Sequence, residues 1–176
     1  MHTVARRGVR CDRTDNAEIA VIVDAESLRY SSMTGNAWNA CINDQMPMLG
    51  RIGAPVSFFL LEDIERIPEQ FKLWIFLNAT APDEGRRRAI AQKVRRDGRM
   101  AVWLYASGLL RDGQITPEAA SELTGITLKI HEEESPGCVA ITESAHPLTL
   151  GLFEVVYGAT GSVGGQHREE LWRGHK

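Results

Sequence analysis

The sequence predicts a single α/β domain built on a doubly wound, mainly parallel sheet with a small antiparallel extension. Three observations predict it. Short, unbroken apolar runs rich in β-branched and aromatic residues recur along the chain, segments of helical spacing with marked ends lie between them, and the runs stop at Asp24, Glu62, Asn78 and the turn around Ser107. Strands covered on both faces read as continuous apolar runs, and strands joined through helices call for right-handed βαβ crossovers.

The elements follow in order. Residues 1–17 carry Arg6, Arg7, Arg10 and Arg13 without hydrophobic periodicity and are expected to form a flexible arm, so the fold should begin with the strand Ile19–Val23. Trp38, Cys41, Ile42, Met46 and Leu49 fall at helical spacing, which predicts a helix over 36–49 whose last turn Pro47 kinks or shortens. After the turn at Gly53-Ala54-Pro55 a second strand is expected at Val56–Leu61, with a brief helix beyond it, and a third strand at Leu73–Leu77. Thr80-Ala81-Pro82-Asp83-Glu84 then offers a cap, an early proline and first-turn carboxylates for a helix running to Asp97. In that helix Ala89, Ile90 and Val94 should face inward and the arginines water.

A fourth strand is expected at Met100–Tyr105, emptying into the tight turn Ala106-Ser107-Gly108, and a short helix between Thr116-Pro117 and Gly125. Ile126–Ile130 alternates as a half-exposed strand, with Cys138–Thr142 as its hairpin partner and Phe153–Tyr157 as a last strand. The expected organisation is thus an arm at 1–17, one domain at 18–157, and a glycine-rich, polar tail at 158–176.

Composition bounds what such a domain can be. A chain of 176 residues with 43% hydrophobic and 24% charged residues can bury one sizeable core. A formal charge of -3 gives no net pull toward nucleic acid, and the local cluster Arg86, Arg87, Arg88, Lys93, Arg95 and Arg96 reads as a solvated helix face. Cys11, Cys41 and Cys138 show no C-x-x-C spacing, which fits a reducing, cytoplasmic setting without disulfides or zinc. The apolar run at Ile19–Val23 is far too short to span a membrane.

Sites of chemistry are few. H-E-x-x-H, G-x-x-x-x-G-K and G-x-G-x-x-G are all missing, so neither a metal nor a nucleotide cofactor is expected. Ser107 lies where a strand-to-helix turn would expose a nucleophile, with His131, His146 and His167 as downstream bases. Tyr105, however, stands where the G-x-S-x-G elbow needs its first glycine, and a turn serine bonded to local backbone is the favoured explanation of the position. Glu62-Asp63 and Glu132 to Glu134 read as solvated charge rather than as convergent acid and base. In a doubly wound sheet ligands bind beyond the carboxyl ends of the strands, so a small polar ligand would lie beside Asp24, Asn78 and Ser107.

Several stretches together resemble a known family. They are Ala20–Asp24 with Ser27 and Arg29-Tyr30, Arg51–Pro55, Phe71–Ala79, Asp97-Gly98-Arg99 with Val102–Gly108, Glu122–Ile126 and His146-Pro147-Leu148. In order and spacing they resemble the class I glutamine-amidotransferase-like, flavodoxin-like module of family 42 β-galactosidases and related glycoside hydrolases, over roughly residues 18–150. The resemblance implies a module without glutaminase machinery, associated with trimer formation and closure beside a catalytic barrel. That barrel is not part of this sequence, and the module's part beyond Tyr157 is expected to be short.

The expectation is therefore a non-catalytic, stand-alone module that self-associates, or binds a protein or a small polar, carbohydrate-like ligand, without nucleic acid or membrane as partner. Self-association is expected through Phe153–Tyr157 as an uncovered strand edge, with closure of the chain's own sheet by that segment as the alternative. The rival function is a small hydrolase or transferase using Ser107.

Overall fold

The computed structural model describes residues 16–30, 39–130, 138–140, 147, 149–150 and 156–158. The chain divides after Lys129 into two compact units. Residues 1–15 of the expected arm, residues 159–176 of the expected tail, Trp38, and the histidines His131, His146 and His167 lie outside the described residues.

The first unit is built on four parallel strands, β1 (Ile19–Val23), β2 (Val56–Leu60), β3 (Leu73–Phe76) and β4 (Met100–Trp103), in the order β2-β1-β3-β4. This order is consistent with the first four strands of a flavodoxin-like sheet. In register, Val21 stands between Phe58 and Ile75, and Ile75 beside Val102.

Strand alternation splits the core into two apolar layers. Ala20, Ile22, Trp74 and Phe76 join Leu61, Ile64, Phe71, Ala89, Ile90 and Leu123 in one cluster; Val21 and Ile75 join Ile42 and Leu77, with Cys41 and Leu49 packed against them, in the other. Phe76 and Trp103 stack across the β3–β4 pair at 4.3 Å between ring centroids, while Phe59, Phe71 and Trp74 meet edge to face.

The helices deviate from expectation at their ends. The one expected over 36–49 is helical in two pieces, a wide turn at Asn39–Asn43 closed by Asp44 N–H on the Asn39 carbonyl, then α1 (Gln45–Leu49), which contains Pro47. A proline removes one amide donor and crowds the preceding turn, which fits the short length. The brief helix after β2 is a 3₁₀ segment, Leu61–Arg66. α2 (Glu84–Val94) is capped by Asp83, whose carboxylate accepts from Arg86 N–H at 2.8 Å, and it ends at Val94 rather than Asp97. α3 (Pro117–Thr124) has proline in its first turn and Gly125 at φ 75° as its left-handed stop, as its sequence predicts.

Two expectations about strands are corrected. Ile126–Ile130 forms no strand, because its amides turn to the preceding helix: Ile126 N–H donates to Thr124 Oγ1 and Leu128 N–H to Ser121 Oγ, both at 3.1 Å. In the second unit β7 (Cys138–Ala140) pairs antiparallel with β8 (Val156–Gly158), not with Ile126–Ile130, so Val156 and Tyr157 of the segment expected to seek another chain are paired within this one on one edge. The structure also adds a two-stranded hairpin, β5 (Leu110–Arg111) and β6 (Gln114–Ile115), turned at Asp112-Gly113.

Candidate functional site

The carboxyl ends of β1 and β3 are where the strand order reverses, and a crevice is expected between them. Here that position is filled. One rung beyond the strands, where Leu77 N–H donates to the Ile22 carbonyl, the Asn78 carboxamide takes the place of a peptide group. Its Oδ1 accepts from Asp24 N–H and its Nδ2 donates to the Asp24 carbonyl, both at 2.8 Å. The Asp24 carboxylate turns inward as well, with Oδ1 accepting from Glu26 N–H at 3.1 Å and Oδ2 from Ser27 Oγ at 2.5 Å. Ser27 Oγ in turn accepts from Ala81 N–H at 2.8 Å. Asp24 and Ser27 are fully buried and Asn78 is 7% exposed.

Asp24 and Asn78 are thus brought into direct contact, as partners of each other. A buried polar group must find a partner inside the protein, and these find theirs across the strand gap. The third expected residue, Ser107, lies in the loop after β4. It is 1% exposed, and its Oγ donates to the Leu104 carbonyl at 3.1 Å. Gly108 N–H, donating to the Ala79 carbonyl at 2.7 Å, ties this loop to the chain after β3.

Backbone strain in the loop is centred two residues before Ser107. Tyr105 has φ 56°, a left-handed conformation unusual for an aromatic residue, and is 70% exposed. A nucleophile elbow presents its reactive side chain at the strained position. In this loop that position presents a phenol, and the serine hydroxyl is turned into the fold.

Arg87 holds the loop from beneath. Its guanidinium donates to the carbonyls of Pro82 (3.0 Å), Ala119 (2.9 Å), Gly108 (2.8 Å) and Leu110 (3.1 Å). Burial, and secondarily the nearby Arg111, push its pKa below the ordinary arginine value. The expectation that the basic residues of α2 face water fails for Arg87 and for Lys93, which are 7% and 8% exposed. Each lies inward with its head group donating to backbone carbonyls; Lys93 Nζ donates to the Ile67 carbonyl at 2.6 Å and to Glu69 Oε1 at 2.8 Å.

Glu69 gathers Lys93, Arg96 and Arg99, and the hydrogen bonds from Lys93 and then Arg99 hold its carboxyl down to about 2. These contacts fasten α2 to the segment before β3. Burial pushes the Cys41 thiol up, away from the thiolate form a nucleophile needs. Among the described residues no cluster of three or more metal-ligating side chains occurs, and no helix is long and apolar enough to cross a membrane.

Sequence reasoning missed the roles of Ser27, Arg87 and Tyr105. Ser27, three residues after a strand-ending aspartate, carried the signal of a side-chain turn. Arg87 shares a helical face with Ile90 and Val94 at spacings of three and seven. Nothing in the local sequence marked Tyr105 as left-handed.

Comparison with known proteins bears on the fold. A scan against protein families finds no match, and no curated protein is significantly similar in sequence. Among solved structures, the chain is similar to a β-galactosidase from Bifidobacterium adolescentis, with TM-score 0.53 and 19% identity, covering 70% of this chain and 60% of that one. It is also similar to a ThuA-like protein from Bacteroides uniformis ATCC 8492, with TM-score 0.50 and 17% identity, covering 85% of this chain and 62% of that one. The chain therefore spans about 60% of the length of each. At these identities the likeness concerns the fold, an α/β arrangement on a parallel sheet.

Proposed function

We propose that this chain is a non-catalytic, amidotransferase-like accessory module of the kind borne by β-galactosidases, acting through association with protein surfaces. One observation carries the reading: the switch point between β1 and β3 is closed by the Asn78–Asp24–Ser27 clamp, whose polar atoms are spent on one another. A catalytic or ligand-binding site needs groups left free to meet a substrate. Ser107 and Asn78 are committed to backbone partners, and the strained loop position carries Tyr105.

The likeness to a β-galactosidase structure supports an accessory role, and the strand order supports a doubly wound sheet of the class I amidotransferase type. Association with protein is favoured over a small polar ligand at Asp24, Asn78 and Ser107 because all three are buried. A cytoplasmic setting accompanies the proposal. The test is glutaminase and β-galactosidase assay of the purified full chain. Turnover at background in the wild type and in Ser107→Ala is expected; turnover that disappears in Ser107→Ala would overturn the reading in favour of a serine hydrolase or transferase.

A further inference from the structure

The loop after β4 is fixed at both ends and strained between them. Leu104 N–H donates to the Phe76 carbonyl at 3.0 Å, and Gly108 N–H to the Ala79 carbonyl at 2.7 Å, while Arg87 holds the Gly108 carbonyl at 2.8 Å. Between these anchors stand Tyr105, Ala106 and Ser107. Among the described residues, Tyr105 and Asp112 have positive φ without being glycine. Asp112, at 52°, lies in the tight Asp112-Gly113 turn of the β5–β6 hairpin, where such a conformation is the favoured one. Tyr105, at 56°, has no hairpin turn to require it, and at 70% exposure its ring packs against too little to offset the strain.

What opposes relaxation is local and comes from Ser107. Its N–H donates to the Tyr105 carbonyl at 3.0 Å, closing a three-residue turn, and its Oγ donates to the Leu104 carbonyl at 3.1 Å. The left-handed conformation disfavours a residue with a Cβ by roughly five- to thirtyfold. A neutral hydrogen bond favours the form that contains it by about two- to thirteenfold. The opposing effects are of similar size, so two forms of the loop lie close in free energy.

We propose that residues 105–107 are a latched two-state loop. In the form described above, Ser107 holds Tyr105 left-handed; in a second form Tyr105 relaxes to negative φ, and Ser107 lets go of the Leu104 and Tyr105 carbonyls. The latch decides what the end of β4 presents. Closed, it shows the phenol and keeps the serine hydroxyl inside; released, it frees the Ser107 hydroxyl and the Leu104 carbonyl as hydrogen-bonding groups. A partner that bonds to either freed group draws the loop toward the released form, and one that grips the phenol as it stands holds the loop closed.

The test is amide hydrogen exchange on the full chain, read at position 107 and at Leu109, whose N–H donates to the Ala106 carbonyl at 3.1 Å. Leu77 N–H, bonded to the Ile22 carbonyl beside the sheet, is the internal reference, and rates are corrected for the intrinsic effect of each substitution. Tyr105→Gly removes the strain, because glycine takes positive φ freely, and should slow exchange at both positions several-fold relative to Leu77. Tyr105→Asn, whose side chain tolerates the left-handed form, should shift exchange the same way by less. Ser107→Ala removes the hydroxyl half of the latch and should speed exchange at both positions several-fold. Opposite shifts from substitutions two residues apart are the signature of a latch, whereas a loop with a single rigid form would not slow its exchange when Tyr105 is replaced. Exchange that rises or stays unchanged in Tyr105→Gly overturns the proposal, and so does exchange that is unchanged in Ser107→Ala. Turnover plays no part in this test, so either outcome leaves the accessory-module reading as it stands.

Discussion

Replacing Arg87 by methionine keeps most of the side-chain bulk and removes all its donors. Four backbone carbonyls, of Pro82, Gly108, Leu110 and Ala119, would lose the guanidinium that satisfies them. Hydrogen bonds to a charged group contribute about 1.5–3 kcal/mol each, but a straight sum overshoots, because methionine also escapes the cost of burying a charge. The arginine is only 7% exposed, so water reaches these carbonyls poorly once it is gone. Each buried carbonyl left without a donor costs about 1–3 kcal/mol, and with the charge no longer buried the net loss expected is about 3–5 kcal/mol. With a urea slope of about 2 kcal/mol/M, the midpoint should fall by roughly 2 M at unchanged slope. Arg87→Lys, with a single ammonium that cannot reach all four carbonyls, should fall between wild type and methionine. Arg88→Met is the matched control: Arg88 is exposed and, among the described residues, bonded to the Glu84 carbonyl one turn back, so it should change stability by less than about 0.5 kcal/mol. A loss below about 1 kcal/mol in Arg87→Met would refute the structural role given to this residue.

Two further predictions follow from particular contacts. Gly108 and Gly125 have nearly the same φ, 74° and 75°, but a Cβ on Gly108 would lie 2.8 Å from Leu123 Cδ2, whereas one on Gly125 meets nothing within 4 Å. Gly108→Ala should therefore cost about 2–4 kcal/mol in thermal or urea unfolding and Gly125→Ala about 1 kcal/mol; equal losses would show that the loop does not press on α3. Glu69, held from 4.5 down to about 2 chiefly by the hydrogen bonds from Lys93 and Arg99, binds its proton more weakly in the folded than in the unfolded chain. Its contribution is present above about pH 4.5 and is lost as pH falls toward 2. Because the carboxylate is half exposed, the contribution is small and should shrink further in high salt. Glu69→Gln should flatten this part of the acid limb of a stability–pH profile, and an unchanged limb would contradict the assignment.

The parallel core was legible because its strands are short apolar runs, and Ile19–Val23 and Leu73–Phe76 fall where the runs predict. α3 was legible too, since Pro117 and Gly125 act through local backbone geometry. What sequence could not show depends on distant partners. Arg87 looks like its neighbours Arg86 and Arg88 until α3 and the loop after β4 bring carbonyls to it. Ile126–Ile130 alternates like a strand, but Ser121 and Thr124 capture its amides. Asp112-Gly113 was a readable hairpin signal that the weak flanking strands obscured. At the site, Asp24 and Asn78 stand just beyond β1 and β3, and Ser107 lies in the loop after β4. That the Asn78 carboxamide bonds to the Asp24 backbone depends on β1 and β3 being neighbours, across 54 residues of chain.

The Asn78–Asp24–Ser27 contacts close the gap between β1 and β3, and Ser107 is bonded within its own turn. Intact-mass spectrometry after incubation of the folded chain with a fluorophosphonate, which labels activated serine nucleophiles, tests this most directly. An unmodified mass is expected, because Ser107 is 1% exposed with its Oγ donating to the Leu104 carbonyl. Stoichiometric labelling mapped to Ser107, and absent from Ser107→Ala, would contradict it.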